Sequence, residues 1–219
     1  MVLSEVCPML RQRLNIGGDV MRGKVLKWND ANETEKENII HAIFDEINHE
    51  YDLNIILETV MPIGYESANG IKDISQNKIF INLQGDKKDN SIMPLFSLLH
   101  EMRHVIQYRY NEQFSQLLVR SLQYAIMYDG HAYKLVNNEW LECVLQEEQE
   151  YCKELYLLSP NEIDANKYAY NYLLNIIPEW KGKLDAIINF WSPKYLYITE
   201  EDVEFELKRI YDYIDKNAN

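Results

Sequence analysis

Apolar residues recur at helical spacing between Thr34 and Tyr51, where Ile39, Ile40, Ile43, Phe44 and Ile47 fall on one face. Thr34 and Glu37 have the spacing of a capping box at the start of that helix. The period then shortens. Residues 53–62, LNIILETVMP, are rich in β-branched side chains, end at a proline and predict a strand. Residues 71–83 predict a hairpin that turns at Ser75-Gln76-Asn77 and returns through Lys78-Ile79-Phe80-Ile81-Asn82. After the polar run 85–91 the helical period resumes at Ile92 and lasts to about Asp129. Pro94 lies near its start, where proline is tolerated, and a break is expected near Asn111. Asp129-Gly130 is the expected helix end, and further helices are expected from Asn138 to Leu157, from Ser159-Pro160 to Ile177 and from Thr199 to Ile214. Residues 1–30 are weakly patterned, and Gly17-Gly18 and Gly23 suggest turns. The expectation is one α+β domain over residues 1–219. It has an N-terminal helix and a small, mostly antiparallel sheet (34–83), a central helix (92–110) and a mainly helical remainder (112–219).

Composition narrows the class. The chain has 219 residues, 47% of them hydrophobic and 26% charged, ample for a core that needs no staple. Acidic residues outnumber basic ones 35 to 22, and the resulting charge of −13 repels phosphate backbones. Nucleic acid is therefore not an expected partner. Cys7, Cys143 and Cys152 are odd in number and form no CxxC pair, so they are expected as reduced thiols. The N-terminal segment lacks the apolar stretch of a signal peptide, and no apolar run reaches membrane-spanning length. A cytoplasmic protein with no membrane partner is expected.

Candidate chemistry sits in the central helix, at His100-Glu101-Met102-Arg103-His104. With His100 at zero on a helical wheel, His104 falls at about 40°, Ser97 at about 60°, Tyr108 at about 80° and Glu101 at about 100°. Val105, Leu98, Met102, Leu95 and Ile106 fall on the far side, between about 140° and 240°. Two imidazoles one turn apart can share a Zn²⁺, with Glu101 beside them as general base for a water. The alternative is a pair of surface histidines on an acidic helix. His41 and His49, on the early helix, read as structural or surface residues.

Such a site needs a third protein ligand from later in the chain. Gln107 and Tyr110 stand where the metzincin pattern wants Gly and His, which excludes that class. The candidates are His131, Glu139, Glu162 and Asp164. Glu162 has a second reading, because Ser159 and Glu162 are spaced as a capping box with Pro160 at the first helical position.

The HExxH residues, followed by Glu162-Ile163-Asp164-Ala165-Asn166-Lys167-Tyr168-Ala169, resemble gluzincin-type zincin metallopeptidases, in particular the ImmA/IrrE group. The strand Lys78–Asn82 just before the motif fits that layout, and the likeness spans about Asn54 to Leu174. The chain departs from the group in its long interval between His104 and Glu162. The resemblance implies a zincin-like fold, with His100, His104 and Glu162 as zinc ligands, Glu101 as catalytic base and Asn166 behind the ligands. It implies hydrolysis of a peptide bond in a particular intracellular protein substrate. His131, Tyr108, Tyr133 and Tyr168 are the candidates to stabilise the oxyanion. Two other functions compete: a helical interaction protein with a vestigial zinc site, presenting the acidic segments 138–157 and 200–214, and an HExxH hydrolase of a non-peptide substrate. Glu147-Glu148-Gln149-Glu150 reads as a solvated face.

Overall fold

The computed structural model describes residues 20–73, 75–84, 91–137, 139–194, 197–199 and 201–219. Cys7 and the Gly17-Gly18 turn lie outside the described residues, as does most of the polar run 85–91. The described fold is α+β, with eight α-helices and two three-stranded sheets.

A helical segment over residues 20–25 (α1) leads to α2 (Glu33–Glu50). The cap of α2 lies two residues before the expected one. Asn32 accepts from the Glu35 backbone and the Glu35 carboxylate reaches back to the Asn32 backbone. Glu37 instead accepts from Thr59 at 2.8 Å. The buried face of α2 is the predicted one: Ile39, Ile40, Ile43, Phe44 and Ile47.

The first sheet joins β1 (Ile56–Glu58), β2 (Gly70–Asp73) and β3 (Lys78–Ile81) in the order β1-β3-β2. β2 and β3 form the expected antiparallel hairpin, but β1 runs parallel to β3, so the sheet is mixed. β2 is left at its edge. Helix α3 (Met93–Arg109) packs against β2 and β3 on one side and against α6 (Pro160–Ile176) on another. The polar stripe of α3 is therefore buried between elements, with His104 3% and Gln107 0% exposed. Side chains from α1, α2, the first sheet, α3, α6 and α7 (Lys181–Phe190) form one apolar cluster, in which Ile40, Ile43, Ile47, Ile79, Ile81, Leu95, Leu98 and Leu99 are fully buried.

The second half departs from the mainly helical expectation. After a 3₁₀ turn at Asn111–Gln113 and the short helix α4 (Gln116–Ser121), the chain forms β4 (Tyr124–Ile126), β5 (His131–Val136) and β6 (Glu139–Val144). These pair antiparallel in the order β4-β5-β6. Asp129-Gly130 is a hairpin turn rather than a helix end, with Gly130 at φ 89°. Asn137, at φ 51°, opens the next turn. Both are residue types that enter the left-handed region easily. The helix expected from Asn138 is confined to α5 (Gln149–Leu157). Sheet β4-β5-β6, α5 and α8 (Val203–Asn217) enclose a second cluster that includes Tyr124, Ala132, Leu155, Leu207 and Tyr211. No helix among the described residues is long and apolar enough to cross a membrane.

Candidate metal centre

The i, i+4 spacing on α3 brings the Nε2 atoms of His100 and His104 to 3.0 Å from one another. α6 crosses α3 there and delivers Glu162 from its first turn. Glu162 Oε2 lies 3.3 Å from His100 Nε2, and Oε1 lies 3.2 Å from His104 Nε2. Ligand atoms of all three residues fall within 4.8 Å of one another, and no other such group occurs among the described residues. The capping-box reading of Glu162 fails. Ser159 turns its hydroxyl to Leu155 O at 3.0 Å, so no side chain caps α6, and the Glu162 carboxylate faces the histidines. Asn161 Nδ2, at 3.0 Å, and the Tyr156 hydroxyl, at 3.1 Å, donate to it.

The far edges of both imidazoles are held. Gln107 Nε2 donates to Asn161 O (2.9 Å) and Asp164 Oδ2 (2.8 Å), which only accept, and this fixes the amide orientation. Gln107 Oε1 then faces His104 Nδ1 at 2.8 Å, so Nδ1 carries the proton and Nε2 presents a lone pair. Asn166 Oδ1 stands 2.9 Å from His100 Nδ1 and selects the same tautomer. Arg103 binds Asp164 through Nε at 2.7 Å and lies between the rings of Phe114 and Tyr168. A hydrogen-bonded chain thus runs from Arg103 through Asp164 and Gln107 to His104, the kind of backing that orients ligating imidazoles.

Two lone pairs and a carboxylate converging at 3.0–3.3 Å call for a positive charge among them. Donors around a tetrahedral ion at about 2.0–2.2 Å stand roughly 3.3–3.5 Å apart, so the set fits a metal with little adjustment. His–His–Glu can hold a metal ion here. Burial pushes His100 down, but the Glu162 hydrogen bond and charge outweigh it and its pKa is raised. Burial, with Lys72 second, lowers that of His104. Burial acts to raise Glu162, yet the two imidazoles hold it well below the usual carboxylate range.

Glu101 is outside the donor group. It borders a cleft of about 310 Å³ that also exposes His100 and Glu162. Its side chain rests on β2, where a methyl added to Gly70 would meet Glu101 Cγ at 3.0 Å. Met93, Phe96, Met127, Tyr128, Leu157 and Trp191 also line the cleft.

The remaining candidates lie elsewhere. His131 pairs with Glu142 at 2.5 Å on the outer surface of the second sheet, and Glu139 is exposed at the start of β6. Asp164 is taken by Arg103 and Gln107. Of the four proposed oxyanion donors, Tyr108 gives its hydroxyl to Leu122 O, Tyr133 pairs with Glu142 on the surface beside His131, and Tyr168 lies against Arg103. The tyrosines that do line the cleft are Tyr128 and Tyr156, whose rings meet edge to face at 4.8 Å. Burial, then Glu162, pushes Tyr128 up to about 12, and the same causes raise Tyr156 well above its ordinary value, so both remain O–H donors. The position of Tyr128 beside the Asp129-Gly130 turn was its available sequence signal. Comparison of the chain with protein-family models, with curated proteins and with solved structures finds no match.

Proposed function

We propose that the protein is a zinc-dependent peptidase of zincin type, acting in the cytoplasm on a particular protein substrate. The observation that carries this reading is the convergence of His100, His104 and Glu162 from two crossing helices, with Glu101 beside them in an open cleft. Two neutral imidazoles and one carboxylate are the donor set of a catalytic zinc with an open position. Zinc held there would polarise the scissile carbonyl and supply a water acidic enough to attack near neutral pH. The chain's own residues do the rest. The carboxylate of Glu101 takes the proton from the attacking water and passes it to the departing amine. Tyr128, which lines the cleft with its hydroxyl protonated, would donate to negative charge on the carbonyl oxygen. Gln107 and Asn166 keep both imidazoles in the ligating tautomer.

A peptide suits the cleft because β2, an edge strand, runs past Glu101 with one side of its backbone unpaired in the sheet. An extended substrate can pair with such an edge. The test is cleavage of a complex peptide mixture read by mass spectrometry, with parental protein and Glu101→Gln each loaded with zinc. The parental protein should cut at a restricted set of sites, and Glu101→Gln should retain its zinc while cutting falls by about 10²–10⁴-fold or more. Equal cutting by both proteins, or no zinc-dependent cutting by the parent, would overturn the reading.

A further inference from the structure

The donor group has a cationic neighbour that the proposed chemistry leaves unused. Residues 70 and 72 of β2 share a face of the strand, and at Gly70 that face touches Glu101. Lys72 continues along α3 from there. Its Nζ lies 4.6 Å from the centroid of the Tyr108 ring, and Tyr108 follows His104 by one turn on the stripe that carries His100 and Glu101. Other basic side chains around the core end on carboxylates: Arg103 on Asp164, Lys78 on Glu58, Arg22 on Glu179. Lys72 is only partly exposed, and among the described residues it makes no ion pair or hydrogen bond; a tyrosine ring is its partner. Burial draws its pKa down, while the charges of Glu101 and Glu162 push the other way.

We propose that Lys72 is the resident counter-cation of the metal centre, compensating its carboxylates in the metal-free protein and opposing the entry of a divalent ion. The inference rests on the metal-site reading above. Two carboxylates, Glu101 and Glu162, sit in a partly desolvated site whose imidazoles are neutral ligands when metal is bound. Counted with both imidazoles neutral, the local charge is −1 without metal and +1 with a divalent ion when Lys72 is present, and −2 and 0 when it is removed. Uncompensated buried charge is unfavourable, so Lys72 stabilises the metal-free form and limits affinity for the metal. Its removal should then act with the opposite sign to every substitution among the donors. Lys72 sets the charge of the site and is not a catalytic residue.

The experiment is competition of Zn²⁺ and Co²⁺ between the protein and a chromophoric chelator, for the parent, Lys72→Met and Lys72→Arg. Lys72→Met should bind both ions about tenfold more tightly. Lys72→Arg, which keeps the charge, should stay within about threefold of the parent. Thermal unfolding in excess chelator should occur at lower temperature for Lys72→Met than for the parent, and the gap should close when metal is added. If Lys72→Met does not fold, Lys72→Gln carries the same expectation. Neutral variants that bind metal no better than the parent, or an Arg variant as tight as the neutral ones, overturn the inference and leave the metal site standing. A parent that binds neither ion brings down the metal-site reading itself.

Discussion

Sheet β1-β3-β2 lies against α3 and sheet β4-β5-β6 lies against α8, each over its own apolar cluster, but the polar groups around the two clusters differ. Around the first, the core is mainly aliphatic with Trp28, Phe44, Phe96, Tyr172 and Trp180 buried in it, and His104, Gln107 and Asn161 of the candidate metal centre and its backing are buried beside it. The second adds a stacked tyrosine pair and several ion pairs to its apolar cluster. Tyr124 stacks on Tyr211 at 4.1 Å and donates to Asp215; Lys134 reaches the same carboxylate at 2.8 Å; Arg120 pairs with Asp212, and Arg209 joins Glu147 and Glu206. Apolar burial is non-directional and dense, so it can hold two imidazoles rigidly while hydrogen bonds set their tautomers. Exposed ion pairs contribute little individually and give register rather than rigidity. The candidate metal donors come from α3 of the first region and from α6. Tyr128, in the turn between β4 and β5, and Tyr156, on α5, line the cleft from elements of the second. The two regions meet at the site, because the Tyr156 hydroxyl on α5 donates to Glu162 at 3.1 Å.

The largest effect separating the two regions should come from Glu162→Gln. The variant keeps shape and hydrogen-bonding capacity but is a poor metal ligand, so zinc affinity should fall by about 10²-fold or more with the fold intact. Elemental analysis after dialysis, alongside circular dichroism, reads both. Zinc retained at parental stoichiometry would remove Glu162 from the donor set.

Asp164→Asn should be next. Its wheel position, about 200° from Glu162, suggests no involvement. In the fold, however, Asp164 fixes the amide of Gln107, and through it His104. Zinc affinity should drop about 10–100-fold, with stability reduced by about 1–3 kcal/mol because Arg103 loses its counter-charge. Affinity within twofold of the parent would show that Gln107 needs no such support.

The smallest effect belongs to the second region. Lys134→Ala breaks the partly exposed pair with Asp215, and should shift unfolding by less than about 1 kcal/mol while leaving metal affinity unchanged. Metal loss in this variant would break the division between the regions.

Much of the first region is legible in the chain. The face of α2 follows from its apolar period, the β2–β3 hairpin from alternation around Ser75-Gln76-Asn77, and the helical HExxH segment from its wheel. The second sheet was hidden. Asp129-Gly130 serves equally as a helix stop and as a hairpin turn, and short strands such as β4 carry too few residues to show period. Asn137-Asn138 is a hairpin signal that the helical reading passed over.

By itself the sequence determined that His100 and His104 share a helix face with Glu101 close by, because those relations depend only on residues within one turn. Its resemblance to gluzincins also pointed to Glu162 and Asn166. Only the tertiary structure decided that Glu162, and not a surface His131 or a helix-capping role, completes the group. It alone revealed that Asp164 braces Gln107, that Tyr128 and Tyr156 line the cleft and that Lys72 lies along the donor helix. Those relations join residues tens of positions apart. They are set by how α3, α6 and β2 pack against one another, which no local period encodes.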